Sequence, residues 1–294
     1  MNTPAPRERD RSTRQLRRTQ LGLLAAMAIG LIATSVQAAT DLIEAVRAGD
    51  VSVARAVLAA GADVDAPQGD GTTALHWAVH HSDLDSVALL LDAGASATAA
   101  NALGATPLWL ASRNGDTKII ASLLEAGANP NVSLRMGETP LMSAARSGNA
   151  DAVELLVMHG AEVNATERER GQTALMWAAA EGHVPVVDIL IQRGADIGAR
   201  SNSGATPLLF ATRRGSLGAV QALLAAGADV DEQRPDGATS LLVAVINGHE
   251  ELVDVLLDAG ADPNVEGGST RLTVKGMRAR PMPCLLYTSP SPRD

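Results

Sequence analysis

Aromatic residues and cysteine are nearly absent from this chain of 294 residues. Aromatic side chains make up 2% of it, with one Phe and one Tyr, and there is a single cysteine. One cysteine cannot build a disulfide framework, so the fold must be held together by packing. A core with so few rings must consist mainly of aliphatic side chains, and the chain is 46% hydrophobic, which suits a globular protein.

Sequence signatures of catalysis are also missing. The chain contains no Gly-x-Ser-x-Gly, no phosphate-binding glycine loop and no His-Glu-x-x-His. Its serine, histidine and aspartate residues occur at positions that recur along the chain. A structural role therefore accounts for them, and no catalytic role is needed. We therefore expect a non-enzymatic protein, with no catalytic residues and no cofactor.

The only dense group of histidines is formed by His76, His80 and His81. His76 and His80 lie one helical turn apart, as in metal-binding helices. No cysteine or neighbouring pair of carboxylates completes a tetrahedral site. We interpret the group as structural and predict no bound metal.

The chain does contain a repeat. A Gly-Ala pair that ends an apolar run recurs every 33 or 34 residues, and a threonine keeps the same step. Such self-similarity is typical of a solenoid built from small stacked modules. The pairs begin at Gly61, Gly94, Gly127, Gly160, Gly194, Gly227 and Gly260, and the threonines are Thr73, Thr106, Thr139, Thr173, Thr206 and Thr239.

Each copy predicts two short antiparallel helices, as residues 101–130 illustrate. Gly104 allows a tight turn, and Pro107 suits the first turn of a helix, where no backbone N–H is needed. Gly115 ends this helix, and the apolar stripe of a second helix follows and ends at Gly127. Neither helix can bury its apolar face alone, so neighbouring copies must stack.

These copies resemble the ankyrin repeat. The segments GATPLWLASRNGD, GETPLMSAARSGN and GQTALMWAAAEGH carry the resemblance, which covers residues 40–264. It implies an all-α ankyrin-repeat solenoid of stacked helix-turn-helix repeats with β-hairpin-like fingers. A degenerate N-terminal repeat at 40–66 precedes six full repeats that run to residue 264. The family's histidine after Thr-Pro-Leu occurs once, as His76.

Residues 1–38 predict a bacterial signal peptide. They combine six arginines, an uncharged run and a small-residue site that ends at Ala38. The apolar run would span about 18 Å as a helix, too short for a hydrocarbon core of roughly 30 Å. We expect cleavage after Ala38, by the general secretory route rather than the twin-arginine route, and a periplasmic or secreted protein.

The repeat pattern fails after Asn264. Residues 265–283 read as the start of a further segment. The last eleven residues, CLLYTSPSPRD at 284–294, resemble a translated sequencing adapter and include the only cysteine. We exclude them from the prediction of the fold.

The C-terminal ends of the first helices provide candidate binding residues. The residue seven after the repeat threonine is arginine in four of seven repeats, although the chain has a net charge of −9. The resemblance places these positions on a concave surface, where the family commonly binds proteins. The helix dipole also favours cations at helix C-termini, and this is an alternative explanation for the recurring arginine. The candidates are Arg47, His80, Arg113, Arg146, Arg213 and the adjacent Arg214.

Apolar side chains extend this candidate site. We expect the aromatic residues four after the threonine to be partly exposed and able to anchor a partner, and Trp109 to lie in the core. Two apolar residues on neighbouring fingertips are a further candidate pair. The additional site residues are Trp77, Trp177, Phe210, Leu103 and Met136.

Together these features predict an exported scaffold that binds a protein partner along the concave groove and the fingertips. The acidic charge argues against nucleic acid or an anionic membrane as the partner. The arginines at the helix ends, in contrast, favour an acidic segment of a partner protein. No small-molecule substrate is evident. Two alternatives stay open: a targeting module of a larger enzyme, or an effector delivered into host cells. The one-residue insertion in the charged run at 166–170 predicts a finger that protrudes or bulges.

Overall fold

A computed structural model describes residues 41–264, 266–267 and 270–271. The predicted signal peptide, its cleavage site and the adapter-like tail lie outside the described residues. The chain divides into two compact halves, one ending at Arg135 and the other beginning at Met136. Short helices follow one another in pairs within each half.

The first half contains three helix pairs. In each pair a short turn joins the first helix to the second, as the glycine pattern predicts. The helices are α1 (41–47), α2 (Val51–Ala59), α3 (Ala74–His80), α4 (Leu84–Asp92), α5 (Pro107–Asn114) and α6 (Thr117–Glu125).

The second half contains four helix pairs and ends, within the described residues, in two short strands. The helices are α7 (Pro140–Ser147), α8 (Ala150–Met158), α9 (Ala174–Glu181), α10 (Val184–Gln192), α11 (Pro207–Arg214), α12 (Leu217–Ala225), α13 (Ser240–Asn247) and α14 (Glu250–Asp258). Strands β1 (Glu266–Gly267) and β2 (Thr270–Arg271) pair antiparallel, with Glu266 opposite Arg271. The all-α class predicted from the repeats is confirmed. Among the described helices, none has the length and apolar content needed to cross a membrane.

The recurring threonine fixes where the first helices begin. Thr106 Oγ1 accepts a hydrogen bond from the backbone N–H of Trp109 at 3.3 Å, and Thr139 Oγ1 does the same for Met142 at 3.2 Å. A hydroxyl at this position satisfies one of the N–H groups that the first turn of a helix leaves unpaired. The same bond recurs at Thr173, Thr206 and Thr239.

Most of the first helices end at a glycine with a left-handed backbone. Gly115 has φ 80° and caps α5, as the sequence predicts. In the first half Ser82 takes the corresponding place after α3, with φ 55°. A side chain at this backbone conformation costs about 1 kcal/mol or more, so local contacts must hold it. The Ser82 hydroxyl donates a hydrogen bond to the carboxylate of Asp116 in the next repeat.

Leucine and β-branched side chains form the buried layers between neighbouring helix pairs. Leu75 and Leu108 are fully buried on the first helices of the first half, and Leu90 and Leu123 are fully buried on the second helices. Burying one such side chain stabilises the fold by about 1.5–3 kcal/mol, so the stack is held by many equal contributions. The second half repeats the arrangement with Leu141, Leu175, Leu208, Leu156, Leu190 and Leu223.

Backbone hydrogen bonds join neighbouring fingers in both halves. In the first half the N–H of Ala102 donates to the carbonyl of Asp70 at 2.8 Å. In the second half the N–H of Asn202 donates to the carbonyl of Arg170 at 2.7 Å. The close approach explains the finger glycines, because a Cβ on Gly71 would lie 3.2 Å from the Asn101 Cα.

The finger with the extra residue bulges, as predicted. The N–H of Gly171 donates to the carbonyl of Glu167, four residues earlier, whereas Gly104 donates to Asn101, three residues earlier. The Glu167 side chain is 7% exposed and its carboxylate fills the wider turn. A carboxylate that accepts several N–H groups is well compensated for its burial. The donors are the N–H groups of Glu169, Arg170 and Gln172, at 2.7, 2.8 and 3.1 Å.

Candidate functional site

The six candidate cations lie where the sequence indicates, at the C-terminal ends of α1, α3, α5, α7 and α11. All six side chains are exposed: Arg47, His80, Arg113, Arg146, Arg213 and Arg214. Their guanidinium and imidazole groups are therefore accessible to a ligand in each half.

In the first half, two of the arginines lie over tryptophan rings. The guanidinium carbon of Arg47 is 4.6 Å from the centre of the Trp77 ring, which belongs to the next helix pair. Arg113 lies 5.1 Å from the Trp109 ring, one turn earlier in α5. Cation–π attraction is effective within about 6 Å of the ring centre. The rings thus hold both guanidinium groups in place.

The two exposed histidines of α3 also pack on Trp77. The His81 ring stacks on it, with centroids 6.0 Å apart and 22° between the planes, and the His80 ring meets it edge-on at 5.8 Å. The indole Nε1 of Trp77 donates to Gln68 Oε1 at 3.1 Å. Among the described residues, no group of three His, Cys, Asp or Glu side chains is arranged to hold a metal ion. Both imidazole rings pack against the Trp77 indole.

His76 is buried and separate from that exposed pair. Its Nε2 lies 3.0 Å from the carbonyl oxygen of Ala105, and its Nδ1 lies 3.2 Å from the backbone nitrogen of Thr73. Burial lowers the pKa of His76, which outweighs the opposing effects of the Ala105 hydrogen bond and the Asp70 charge. Hydrogen bonds from Thr72 lower the pKa of the exposed Asp70 carboxyl. A neutral His76 acts as a link between two repeats.

In the second half, Arg146 and Arg213 also lie over aromatic rings. Arg146 is 4.9 Å from the centre of Trp177 in the next helix pair, and Arg213 is 5.5 Å from Phe210 in its own helix. Arg146 also approaches Glu138 at 3.6 Å. Each half therefore contains an arginine that pairs with a ring of the next repeat.

Two histidines form hydrogen bonds with the C-terminal ends of α7 and α11. His183 Nε2 lies 3.0 Å from the carbonyl oxygen of Arg146, and His249 Nε2 lies 3.5 Å from that of Arg213. Each histidine comes from the following repeat, so it fixes the backbone of an arginine that carries a candidate side chain.

The aromatic predictions are partly confirmed and partly wrong. Trp77 and Trp177 are half-buried, as expected, and Trp109 is 8% exposed and belongs to the core. Phe210 was expected to be partly exposed, but it is only 7% exposed. The Arg213 guanidinium covers its ring, and Val243 of the next repeat lines the same cleft. Phe210 therefore supports an arginine instead of presenting its own face.

The predicted fingertip residues are both exposed. Leu103 is 69% exposed at the tip of its finger in the first half, and Met136 is 55% exposed at the start of the second half. Their carbonyl groups accept backbone hydrogen bonds from the next finger, while the side chains remain free for contact.

The structure adds site residues that the sequence did not single out. Two clefts of about 260 and 270 Å³ lie in the second half and share Arg170, Gln172, Phe210 and Arg213. We call the two clefts together the arginine trough. Arg146 lines one end and Arg234 the other. Arg170 belongs to the bulged finger, where the one-residue insertion and the variable fingertip were the sequence signals for it.

Comparison with known protein families gives a clear result. A family model described as Ankyrin repeats (3 copies) matches residues 42–133, 127–201 and 175–266. These matches include every described helix after α1 and all the candidate site residues. No curated protein matches the chain.

Proposed function

Because this chain belongs to the ankyrin-repeat family, we propose that it is an exported, non-enzymatic scaffold that binds a partner protein through the ends of its first helices and its fingertips. Ankyrin repeats are in general protein–protein interaction modules and typically non-catalytic. The periplasm or the cell exterior is the location we propose, from the leader-like residues 1–38.

The observation that carries this proposal is the placement of exposed arginines on aromatic rings. A guanidinium that lies over a ring keeps its N–H groups available at its edge for a carboxylate. The rings also restrict the arginine side chains before a partner arrives, so binding loses less conformational entropy. Helix C-termini attract arginine as well, but that attraction does not require a ring beneath each guanidinium.

The charge distribution favours a partner with an acidic segment. Residues 41–264 hold 13 Lys and Arg against 29 Asp and Glu, so exposed arginines at one set of helix ends are a local exception. Opposite charges across an interface raise the association rate and the specificity more than the affinity itself. We therefore propose an acidic protein segment and not nucleic acid, which the overall negative charge would repel.

A groove variant tests the binding proposal. The partner is first captured from periplasmic extract with the chain that lacks residues 1–38, and its affinity is measured at several salt concentrations. Changing Arg113, Arg146 and Arg213 to Ala should weaken binding at least about tenfold and flatten the salt dependence. The control, with the same change in charge, replaces Arg55, Arg193 and Arg200 by Ala. Equal effects of the two triple variants would argue against the proposed surface.

The proposed export is tested by a separate measurement. The intact mass of protein recovered from the periplasm or the medium should correspond to a chain that begins at Ala39. Recovery of a chain that retains residues 1–38 would contradict the proposed cleavage.

A further inference from the structure

The arginine trough in the second half has an unusual charge balance for an acidic protein. Four arginines line it, Arg146, Arg170, Arg213 and Arg234, against one carboxylate, Glu181. An excess of like charge costs electrostatic energy unless an anion approaches from outside. The trough therefore has the charge expected of an anion-binding site.

The two central arginines are the ones without a carboxylate partner. Arg146 approaches Glu138 at 3.6 Å, and Arg234 approaches Asp236 at 3.3 Å. Arg170 and Arg213 form no ion pair with any residue in the described part of the chain. Both are exposed, so their charge is available to a ligand in the middle of the trough.

The backbone of Arg170 is held rigidly on both sides. Its N–H donates to both oxygens of the Glu167 carboxylate at 2.8 and 3.0 Å, and its carbonyl accepts from Asn202 at 2.7 Å. The inserted residue of this finger creates the turn that Glu167 fills. The bulge thus fixes a guanidinium-bearing residue at the rim, which is the preorganisation that a binding site needs.

Arg213 is supported in a different way. It lies in the last turn of α11, where its guanidinium covers the Phe210 ring at 5.5 Å. His249 bonds to its carbonyl oxygen at 3.5 Å. Arg213 and Arg170 therefore face the same trough from a helix end and from a finger.

We propose that the arginine trough binds a short acidic peptide segment of a partner protein, with one carboxylate on Arg170 and a second on Arg213. This inference rests on the proposed function as a protein-binding scaffold. A planar guanidinium matches a carboxylate through two parallel hydrogen bonds. Gln172 lines both clefts and offers an amide that can pair with the peptide backbone. Clefts of this size admit a few side chains, which suits an extended segment.

A dye-labelled peptide with four glutamates, followed by fluorescence anisotropy, tests the proposal on the full chain. A peptide with glutamine in place of glutamate should bind at least about tenfold more weakly. Arg170→Gln and Arg213→Gln should each weaken binding of the glutamate peptide about fivefold or more. Arg193→Gln is the matched control, because it removes the same charge from an exposed position of the second half that does not line the trough. It should change binding by less than about twofold.

Equal losses for Arg213→Gln and Arg193→Gln would overturn the proposal, because they would show that diffuse charge attracts the peptide. Equal binding of the glutamate and glutamine peptides, or tighter binding of a single-stranded oligonucleotide of similar charge, would also overturn it. Far-ultraviolet circular dichroism of each variant checks that the helices are intact.

Capture of the partner separates this proposal from the broader one. One outcome is that the double variant Arg170→Gln with Arg213→Gln captures the same partner with unchanged affinity. In that case the proposed peptide site in the trough is wrong, while the proposed scaffold function stands. If the double variant loses the partner but a variant with Arg47→Ala and Arg113→Ala captures it normally, the trough stands and the broader surface is wrong instead.

Discussion

His76 links two repeats through the carbonyl oxygen of Ala105, 3.0 Å from its Nε2 atom. A carbonyl can only accept, so Nε2 carries the proton in this bond. The backbone nitrogen of Thr73 can only donate, so Nδ1 of His76 accepts. This arrangement requires the neutral imidazole with its proton on Nε2.

The first prediction follows for the pH dependence of stability. Burial lowers the pKa of His76 in the folded chain, while the unfolded chain takes up a proton near the ordinary value of 6.5. As pH falls below that value, the unfolded state binds a proton that the folded state does not, so stability decreases. Replacing His76 by Leu, the residue that two other repeats carry at this position, should reduce the loss of stability in urea between pH 7.5 and 5.5.

The control for this measurement is Met142→Leu, which changes a buried side chain at the same position of another repeat but removes no titratable group. It should leave the pH dependence close to that of the parent chain. A His76→Leu variant with an unchanged slope would show that other groups govern the acid sensitivity. At neutral pH the variant should be about 1–2 kcal/mol less stable, because it loses buried hydrogen bonds.

The fold could be predicted almost completely from the sequence, because each landmark has one local physical role. Threonine caps a helix, glycine adopts positive φ at its end, and leucine fills a layer that only a neighbouring repeat can complete. The end of α3 was harder to predict, since Ser82 stands where the other repeats carry the helix-ending glycine, and it adopts the same left-handed backbone despite its side chain. Its contact with Asp116 comes from the next repeat.

The candidate site was less predictable, because its contacts join residues about 30 positions apart. The period places Arg47 in the last turn of α1 and Trp77 about one turn earlier in the equivalent helix α3, but it does not show that the guanidinium lies over the ring. It also suggested an exposed Phe210, which the Arg213 guanidinium covers. Arg170 was recognisable only as part of a longer finger, since its role depends on how Glu167 folds that turn.

The second prediction compares two tryptophans at the same position of their repeats. Each ring lies under an arginine of the preceding repeat, at 4.6 Å for Trp77 and 4.9 Å for Trp177. Trp77 Nε1 donates to Gln68, whereas Trp177 Nε1 is buried with no partner among the described residues. Trp77→Phe loses a hydrogen bond worth about 0.5–1.5 kcal/mol, while Trp177→Phe removes an uncompensated donor. Urea denaturation should show the larger loss of stability for Trp77→Phe; the reverse order would contradict the hydrogen-bond argument.

The third prediction concerns two helix-ending glycines. Gly148 and Gly248 have similar backbones, with φ 77° and 71°. A Cβ on Gly148 would lie 2.7 Å from the His183 ring, but a Cβ on Gly248 has no atom within 4 Å. Both alanine variants carry the backbone cost of about 1–2 kcal/mol, and Gly148→Ala adds a collision. Thermal denaturation should therefore show a lower Tm for Gly148→Ala than for Gly248→Ala.

A double variant checks the cause of that difference. Adding His183→Ala removes the ring that the new methyl group would meet, so it should cost Gly148→Ala less stability than it costs the parent chain. Simple additivity of the two losses would show that the His183 ring moves aside freely.

The last prediction uses Glu167 to separate charge from position in the arginine trough. Its buried carboxylate accepts hydrogen bonds from three backbone N–H groups of the bulged finger, including that of Arg170. Glu167→Gln replaces one accepting oxygen by an NH₂ group that cannot accept. The variant should lose about 1–3 kcal/mol of stability, whereas Glu169→Gln, an exposed change of the same charge, should stay within roughly 0.5 kcal/mol of the parent chain.

Peptide binding by the same two variants distinguishes a purely electrostatic site from one in which Glu167 positions Arg170. Both remove a negative charge near the trough, so a purely electrostatic site would bind the glutamate peptide more tightly in both. If Glu167 holds Arg170 in place, Glu167→Gln should bind the peptide about threefold or more weakly, while Glu169→Gln binds as well as the parent chain or better. Tighter binding by both variants would mean that the bulged finger contributes charge but not geometry, and the central role of Arg170 would have to be abandoned.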